Sequence, residues 1–230
     1  MKTSHIEWAL STLNDSGYLL ETTKPEIVLD TAWSEVCRFQ TNLGLVYLKK
    51  VPSALSLEAN VIQLLQKQFN APVPQIIAHN QELHCFLMQD AGISLHEVFK
   101  QEVKPNLLID MMHHYTMLQI NSADKISLFL DLGVPDWRLQ QLPKLYQQLL
   151  CEEELLIGDG LTREELKQLK SLDGKLRTFC EQLASFKVPD TFGHADFHGK
   201  NILVNPHTHQ TTMIDLGEVV ITHPFFSFVN

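Results

Sequence analysis

The spacing of apolar residues changes along the chain near Ala91-Gly92. Before this point, short apolar runs bounded by turn-forming residues predict strands, and apolar residues three and four positions apart predict helices. The predicted strands are Ile27–Leu29, Ser34–Gln40, Leu45–Val51, Gln75–Ala78 and His84–Gln89, and the predicted helices are 3–14 and Ser56–Phe69. Thr41-Asn42-Leu43-Gly44 predicts a tight turn between the second and third strands, and Ser56 is the predicted N-cap of its helix.

After Gly92 the apolar spacing is mostly helical. The predicted helices are Leu95–Lys100, Lys104–Asn121, Leu139–Glu154 and Arg163–Phe186, and the capping-box sequence 162–165 opens the last of them. Strands return as a hairpin formed by Asn201–Val204 and Thr211–Asp215. We therefore predict an α+β protein of two lobes, with a strand-rich N-lobe over residues 1–91 and a mostly helical C-lobe over residues 92–230.

Composition narrows the class of protein. The 230 residues are 44% hydrophobic, which is enough to bury a core, and the formal net charge of −9 disfavours nucleic acid as a partner. No run approaches the ~20 apolar residues that span a bilayer, and the N-terminus lacks an apolar signal core, so we expect a cytoplasmic protein with no membrane partner. The four cysteines are scattered and are expected to be free and buried.

One stretch, residues 194–204, carries polar residues that lead into an apolar strand. Asp196 and Asn201 are five positions apart, and a carboxylate beside a buried strand is costly unless it has a task. This spacing suits phosphoryl transfer, in which a carboxylate accepts the proton of a hydroxyl and an amide oxygen holds a metal ion. Asp215, at the end of the next apolar strand, is the natural second ligand for Mg²⁺.

These residues resemble the catalytic and metal-binding loops of the aminoglycoside phosphotransferase and choline kinase-like family, which has the protein-kinase-like fold. The resemblance covers residues 31–230 and implies an ATP- and Mg²⁺-dependent phosphotransferase. It implies that Asp196 is the catalytic base, that Asn201 and Asp215 hold the metal ion, and that His194 braces the catalytic loop.

The strand-rich half matches the same family. Val46-Tyr47-Leu48-Lys49 resembles the strand whose lysine holds the α- and β-phosphates, and Glu58 stands where the family places the carboxylate that pairs with that lysine. Lys50 is a competing candidate, but strand alternation turns it to the opposite face from Lys49.

The segment 85–92 resembles the hinge of the family, where main-chain groups bind the adenine edge. On this resemblance Met88 guards the back of the pocket. The Gln89 carbonyl and the Ala91 N–H are then the adenine contacts.

The phosphate-covering loop departs from the family pattern, because residues 30–35 contain no glycine. Glycine normally lets backbone N–H groups approach a phosphate closely. Ser34 is the expected substitute, through its hydroxyl and its amide. Lys200 either touches the transferred phosphate or is solvated.

The sequence ends at Asn230, shortly after Gly217, where family members usually continue with further helices. The C-lobe is therefore expected to be shortened. The apolar segment 224–229 is expected to start a buried helix and to expose apolar surface, which a partner or a second copy in a homodimer would cover.

Two functions follow from these patterns. The first is a small-molecule kinase that moves the ATP γ-phosphate to a hydroxyl of an aminoglycoside, sugar or amino-alcohol. The second is a catalytically impaired nucleotide-binding or interaction protein without a complete acceptor site. A protein-kinase function is disfavoured because no segment ending in Ala-Pro-Glu follows Gly217.

Overall fold

The structure is a computed structural model that describes residues 4–228. In residues 4–89 the structure has two α-helices and five short antiparallel strands. In chain order they are α1 (Ser4–Asp15), β1 (Glu26–Asp30), β2 (Glu35–Thr41), β3 (Gly44–Lys50), α2 (Glu58–Phe69), β4 (Ile76–Asn80) and β5 (Cys85–Gln89).

The elements beyond the hinge segment are mostly helices. They are β6 (Ile93–Ser94), α3 (Leu95–Gln101), α4 (Pro105–Ser122), α5 (Ile126–Asp131), α6 (Leu142–Cys151), α7 (Glu153–Gly158), α8 (Arg163–Ser171), α9 (Asp173–Ala184), β7 (Thr191–His194), β8 (Ile202–Val204), β9 (Thr211–Met213) and β10 (Val219–Thr222). None of the helices in residues 4–228 is long and apolar enough to cross a bilayer.

The described residues form two compact units. One comprises residues 4–118 and 196–218, and the other comprises residues 119–195 and 219–228. The predicted division into lobes at residue 91 remains a prediction.

The first unit contains an antiparallel sheet with the strand order β1-β2-β3-β5-β4 and a small sheet with the order β6-β8-β9. Helix α1 packs on one face of the larger sheet through Ala9 and Leu13. That face is built by alternate residues of β2 and β3, among them Phe39 and Leu48, which are almost fully buried. Each such side chain stabilises the unit by about 1.5–3 kcal/mol through apolar burial.

The second unit is helical and contains one short antiparallel pair, β7 with β10. Phe192 of β7 packs against Phe129 of α5, with ring centroids 5.5 Å apart. Gly193 is required in this pair because a Cβ atom there would lie 2.6 Å from the Thr222 methyl group. The close approach of the two strands therefore depends on a residue without a side chain.

Local sequence signals predicted several boundaries correctly. Residues 42 and 43 form the predicted turn between β2 and β3, and Gly44 has the positive φ of +105° that glycine tolerates. Thr162 and Glu165 form the predicted capping box at the start of α8.

Other boundaries were predicted wrongly. Ser56 is not an N-cap, since its hydroxyl donates to the Ser53 carbonyl and α2 begins at Glu58. The long helix predicted over 163–186 breaks at Leu172, where Asp173-Gly174 supplies two residues of low helix propensity. The helix predicted over 139–154 is likewise divided between α6 and α7.

Strands β6, β7 and β10 were missed. They have two to four residues, which is too short for a periodic pattern. The predicted C-terminal helix is a 3₁₀ turn over Pro224–Phe228, in which Phe225 is 63% exposed. Val229 lies outside the described residues, and the homodimer remains a prediction.

The cysteines are free as predicted, but Cys151 is exposed and not buried. Burial raises the pKa of the Cys37 and Cys85 thiols to about 11, so these thiols stay protonated near neutral pH.

We expect Ellman's reagent at pH 8 to modify Cys151 roughly 100-fold faster than Cys37 and Cys85, because the thiolate is the reactive form. The Cys151→Ser variant is the control and should lose the fast phase. Rapid reaction of Cys37 or Cys85 in the native protein would contradict the packing of the sheet.

Candidate functional site

A buried lysine joins two carboxylates in the first unit. The Lys49 Nζ atom donates to Glu58 Oε1 at 2.8 Å and to Asp215 Oδ1 at 2.7 Å. Lys49 lies on β3 and Glu58 in the first turn of α2, and both are buried, while the Asp215 side chain is 54% exposed. The sequence-predicted pair of Lys49 and Glu58 is thus in contact, and Asp215 joins it.

The charges of this cluster shift one another's titration. Burial lowers the pKa of Lys49, but the Glu58 and Asp215 carboxylates outweigh burial and the pKa is raised overall. Burial raises the pKa of Glu58, while Lys49 and the Leu216 N–H oppose that rise. Two carboxylates lie within hydrogen-bond distance of the ammonium, and together they favour its charged form. Lys49 is therefore a stable cation.

The backbone around Asp215 is held in an unusual conformation. Its φ is +62°, in the left-handed region that Asp and Asn tolerate better than most residues. On one side the Ile214 N–H donates to the Asn201 carbonyl at 3.0 Å, and on the other the Leu216 N–H donates to Glu58 Oε1 at 3.2 Å. These two bonds aim the carboxylate at Lys49.

The two polar residues of the predicted catalytic loop are in direct contact. Asn201 Nδ2 donates to Asp196 Oδ2 at 2.9 Å and to the Asp196 carbonyl at 3.0 Å. Because both partners are acceptors, this nitrogen must be the amide donor, and the amide oxygen of Asn201 points elsewhere. Asn201 also lines the cavity described below, so its oxygen is suited to hold a cation there.

Packing anchors this loop within the first unit. Phe197 is buried and stacks on Tyr115, with ring centroids 4.2 Å apart and planes 16° from parallel. The His96 N–H donates to the Gly199 carbonyl at 3.0 Å. A rigid support of this kind keeps Asp196 in place although its side chain is 43% exposed.

A cavity of about 310 Å³ adjoins the ion-pair cluster. Lys49, Glu58 and Asp215 line one part of it, and Asn201 and Ser34 line other parts. Residues far apart in the sequence therefore border one space in the first unit. Lys50 does not line this cavity. It is the cross-strand partner of Glu35, and strand alternation predicted that it faces away from Lys49.

The predicted hinge forms another wall of the cavity. Met88, Gln89 and Ala91 line it. The N–H groups of Gln89, Asp90 and Gly92 are occupied by acceptors of the first unit. Within residues 4–228 no hydrogen bond occupies the Ala91 N–H, so this group is available to a ligand.

Gly92 ends the hinge at a close approach between two backbone segments. Its φ is +108°, and a Cβ atom there would lie 2.1 Å from the Val204 carbonyl oxygen of β8. Only glycine allows this contact, which seats the hinge against the small sheet.

The glycine-free loop between β1 and β2 is closed by Thr31. The Thr31 hydroxyl oxygen accepts the N–H groups of Trp33 and Ser34 at 3.2 and 3.0 Å. The Ser34 amide is therefore already used, and only its hydroxyl remains for the role predicted from the sequence.

His194 and Lys200 were also predicted to be site residues. His194 ends β7 in the second unit and is fully buried. Lys200 is exposed in the first unit, and its backbone N–H donates to His198 Nδ1. Their proposed roles remain predictions.

Sequence reasoning missed three residues that contact the predicted site residues. They are Thr31, which closes the loop, Leu216, whose N–H binds Glu58, and His198, whose Nε2 lies 3.2 Å from Asp196 Oδ2. A main-chain donor leaves no signal in the sequence. His198 could have been found by asking which side chains of the loop can reach its carboxylate.

The fold is that of known small-molecule phosphotransferases. Macrolide 2′-phosphotransferase type I superposes with a TM-score of 0.63 at 14% identity, over 98% of this chain and 75% of that chain. The streptomycin–ATP–APH(2″)-IIa ternary complex gives 0.56 at 16% identity, over 96% and 73%. Plasmodium vivax ethanolamine kinase gives 0.62 at 12% identity, over 87% of this chain and 57% of that chain. The predicted kinase-like α+β fold is confirmed.

The sequence itself matches the family model of the phosphotransferase enzyme family (APH) over residues 19–230. The chain therefore belongs to this family, as its motifs indicated. No curated protein sequence matches it.

Proposed function

We propose that this chain is an ATP- and Mg²⁺-dependent small-molecule kinase that transfers the γ-phosphoryl group to a hydroxyl. The observation that carries the proposal is the cluster at one cavity. It joins a buried, paired lysine, an exposed carboxylate and the amide of Asn201. Membership of the phosphotransferase family and free thiols, which suit a cytoplasmic setting, agree with it.

The nucleotide would lie in the cavity beside the hinge. Gln89 and Ala91 would bind the adenine edge through main-chain groups, and Met88 would border the base. The Lys49 ammonium would donate to the α- and β-phosphates, and the Ser34 hydroxyl to the β-phosphate. Glu58 keeps Lys49 in place, because it is bound at 2.8 Å and is itself fully buried.

The residues that would hold Mg²⁺ fit a hard cation. Asp215 offers an exposed carboxylate, and the amide oxygen of Asn201 is turned away from Asp196 by the bonds of its nitrogen. Two protein oxygens together with phosphates and water are the usual magnesium environment. When bound, Mg²⁺ would neutralise the phosphate charge that resists attack.

The transfer step assigns one role to Asp196. Its carboxylate would accept the proton of the acceptor hydroxyl while the hydroxyl oxygen forms a bond to the γ-phosphorus. The bond between the γ-phosphorus and the bridging oxygen breaks, and its electron pair leaves with ADP. The rest of the rate enhancement comes from positioning and electrostatic stabilisation by Lys49.

The acceptor is proposed as a class, a small molecule with a hydroxyl. The similar structures carry names that include macrolides, streptomycin, kanamycin and ethanolamine. A panel drawn from these compounds, with sugars and choline added, spans that class.

The test measures binding and turnover separately. We expect ATP with Mg²⁺ to raise the melting temperature, and incubation with the panel to give one acceptor heavier by a phosphoryl group in mass spectrometry, with ADP formed in equal amount. EDTA should abolish the transfer. ATP binding without turnover on any acceptor would instead support the nucleotide-binding alternative, which the occupied Ser34 amide favours. A chain that binds no nucleotide would overturn both.

A further inference from the structure

His5 is a buried polar residue in the first turn of α1. Its side chain is 2% exposed, and its Nε2 atom forms a hydrogen bond of 3.1 Å with Glu35 Oε1. A buried imidazole is costly unless its polar atoms find partners. Residue 5 also lies before residues 19–230, the part of the chain that matches the family model. The motifs of the family therefore give no reason for a buried histidine at this position.

Glu35 is the acceptor of this hydrogen bond. Burial raises the pKa of Glu35, but the hydrogen bond from His5 and the electrostatic attraction of His5 and Lys50 outweigh burial, so the pKa is lowered overall. The carboxylate is ionised at neutral pH and can only accept, which puts a proton on His5 Nε2. The Cys37 thiol donates to the same oxygen at 3.7 Å. Glu35 Oε1 is thus held by two donors on the α1 side of the sheet.

Glu35 follows Ser34 in the chain, and the two side chains serve opposite faces of the sheet. Ser34 and Val36 line the cavity. Glu35 and Cys37 alternate with them, and Cys37 belongs to the core that packs against α1. A bond that fixes Glu35 from the α1 face therefore also fixes the backbone that directs Ser34 towards the cavity.

We propose that His5 is a positioning residue for the glycine-free loop between β1 and β2. Its hydrogen bond to Glu35 fixes the start of β2 to α1 and so holds the Ser34 hydroxyl at the cavity. The apolar contacts of α1 with the sheet are non-directional, whereas a hydrogen bond is directional. Thr31 closes the loop locally by accepting the Ser34 N–H, and His5 anchors the closed loop to the rest of the first unit.

This role rests on the proposed kinase function, in which the Ser34 hydroxyl donates to the β-phosphate. A displaced loop weakens that bond equally before and during the transfer. The effect should therefore appear in the dissociation constant and the KM for ATP, and not in kcat. A purely structural role of His5 would lower the melting temperature and leave ATP affinity unchanged well below that temperature.

Three variants separate these two roles. His5→Ala removes the hydrogen bond. His5→Gln restores it, because the amide nitrogen of glutamine extends about as far as Nε2 and can donate to Glu35. Leu10→Ala is the matched control, since Leu10 is a partly buried residue of α1 that packs against the sheet.

We expect His5→Ala to bind ATP about 10-fold more weakly in calorimetry, as for the loss of one hydrogen bond to a charged group, with kcat unchanged. His5→Gln should bind ATP almost as tightly as the native chain. Leu10→Ala should lower the melting temperature and keep the native ATP affinity. Native affinity in His5→Ala, or an equal loss of affinity in Leu10→Ala, would overturn the positioning role.

A double-mutant cycle tests whether His5 acts through Glu35. Glu35→Ala removes the other partner of the bond and should weaken ATP binding as much as His5→Ala does. The double variant should bind no more weakly than either single variant, because both substitutions break the same contact. Losses that add in the double variant would overturn the inference.

Hydrogen exchange tests the anchor without nucleotide. The Trp33 and Ser34 N–H groups donate to the Thr31 hydroxyl, and they should exchange faster in His5→Ala than in the native chain or Leu10→Ala. Unchanged exchange in His5→Ala would overturn the inference even if the chain is active. Faster exchange in His5→Ala, with a native chain that binds no nucleotide, would overturn the proposed function and leave the anchor between α1 and β2 standing.

Discussion

Asp196→Asn should lower the rate of phosphoryl transfer about 10²–10⁴-fold, the usual contribution of a general base. Asparagine keeps the size of the side chain and can still accept the N–H of Asn201, but it cannot take a proton from the acceptor. The measurement is transfer to the acceptor found in the panel, with ATP affinity determined by calorimetry. ATP affinity should change little, since Asp196 is not among the described residues that line the cavity proposed for the nucleotide.

The matched control is Asp110→Asn, which removes an exposed carboxylate from α4 in the same unit. It should transfer phosphate at the native rate and unfold at the native temperature. Equal turnover in Asp196→Asn and the native chain would remove Asp196 from the mechanism.

Lys49→Met is expected to affect both stability and binding. Removing one partner of a buried ion pair leaves the other charge unpaired, and such changes cost about 3–5 kcal/mol in the free energy of unfolding. Glu58 is that partner, and it is 2% exposed. The variant should also lose affinity for ATP, since the proposed phosphate ligand is gone. Urea unfolding and calorimetry measure the two effects.

The pH dependence of this loss has a definite sign. Burial raises the pKa of Glu58 above its ordinary value of 4.5, and Lys49→Met removes the ammonium that opposes this rise. A carboxyl group with a raised pKa in the folded state stabilises the fold at low pH, and that contribution is lost as the pH rises through the folded-state pKa. The deficit of Lys49→Met should therefore be larger at pH 8 than at pH 5.

Glu58→Gln in the Lys49→Met background removes the unpaired charge. We expect the double variant to recover most of the lost stability and none of the ATP affinity. Lys50→Met is the control, because Lys50 lies on the other face of β3 beside Glu35. A Lys49→Met chain as stable as the Lys50→Met chain would show that the buried pair does not stabilise the first unit.

Much of this site follows from local sequence. Asp196, Asn201 and Asp215 are recognisable because their residue types and spacing combine with the apolar strands that follow or precede them. Lys49 was chosen by the resemblance of residues 46–49 to the lysine strand of the family, and strand alternation then placed Lys50 on the opposite face. The hydrogen bonds of Thr31 and Leu216 could not be found this way, since they depend on which main-chain groups meet after folding.

The errors in the predicted helices and strands also arise because a sequence pattern reports only local structure. Helix α8 was found because a capping box is a local signal, whereas the break at Leu172 interrupts a continuous helical pattern. Strands β7 and β10 are fully buried and short, so neither alternation nor length marks them. Their pairing becomes visible only when residues 191–194 and 219–222 lie side by side.

By itself, the sequence determined the chemical groups and their local order: a carboxylate and an amide on one loop, a carboxylate after a strand, and a lysine at the end of the third predicted strand. The tertiary structure decided how these groups contact one another. It brought Asp215 to Lys49 across the chain, turned the Asn201 oxygen away from Asp196, and used a main-chain N–H to orient His198. Hydrogen bonds are directional and short-ranged, so only a folded backbone can specify which donor faces which acceptor.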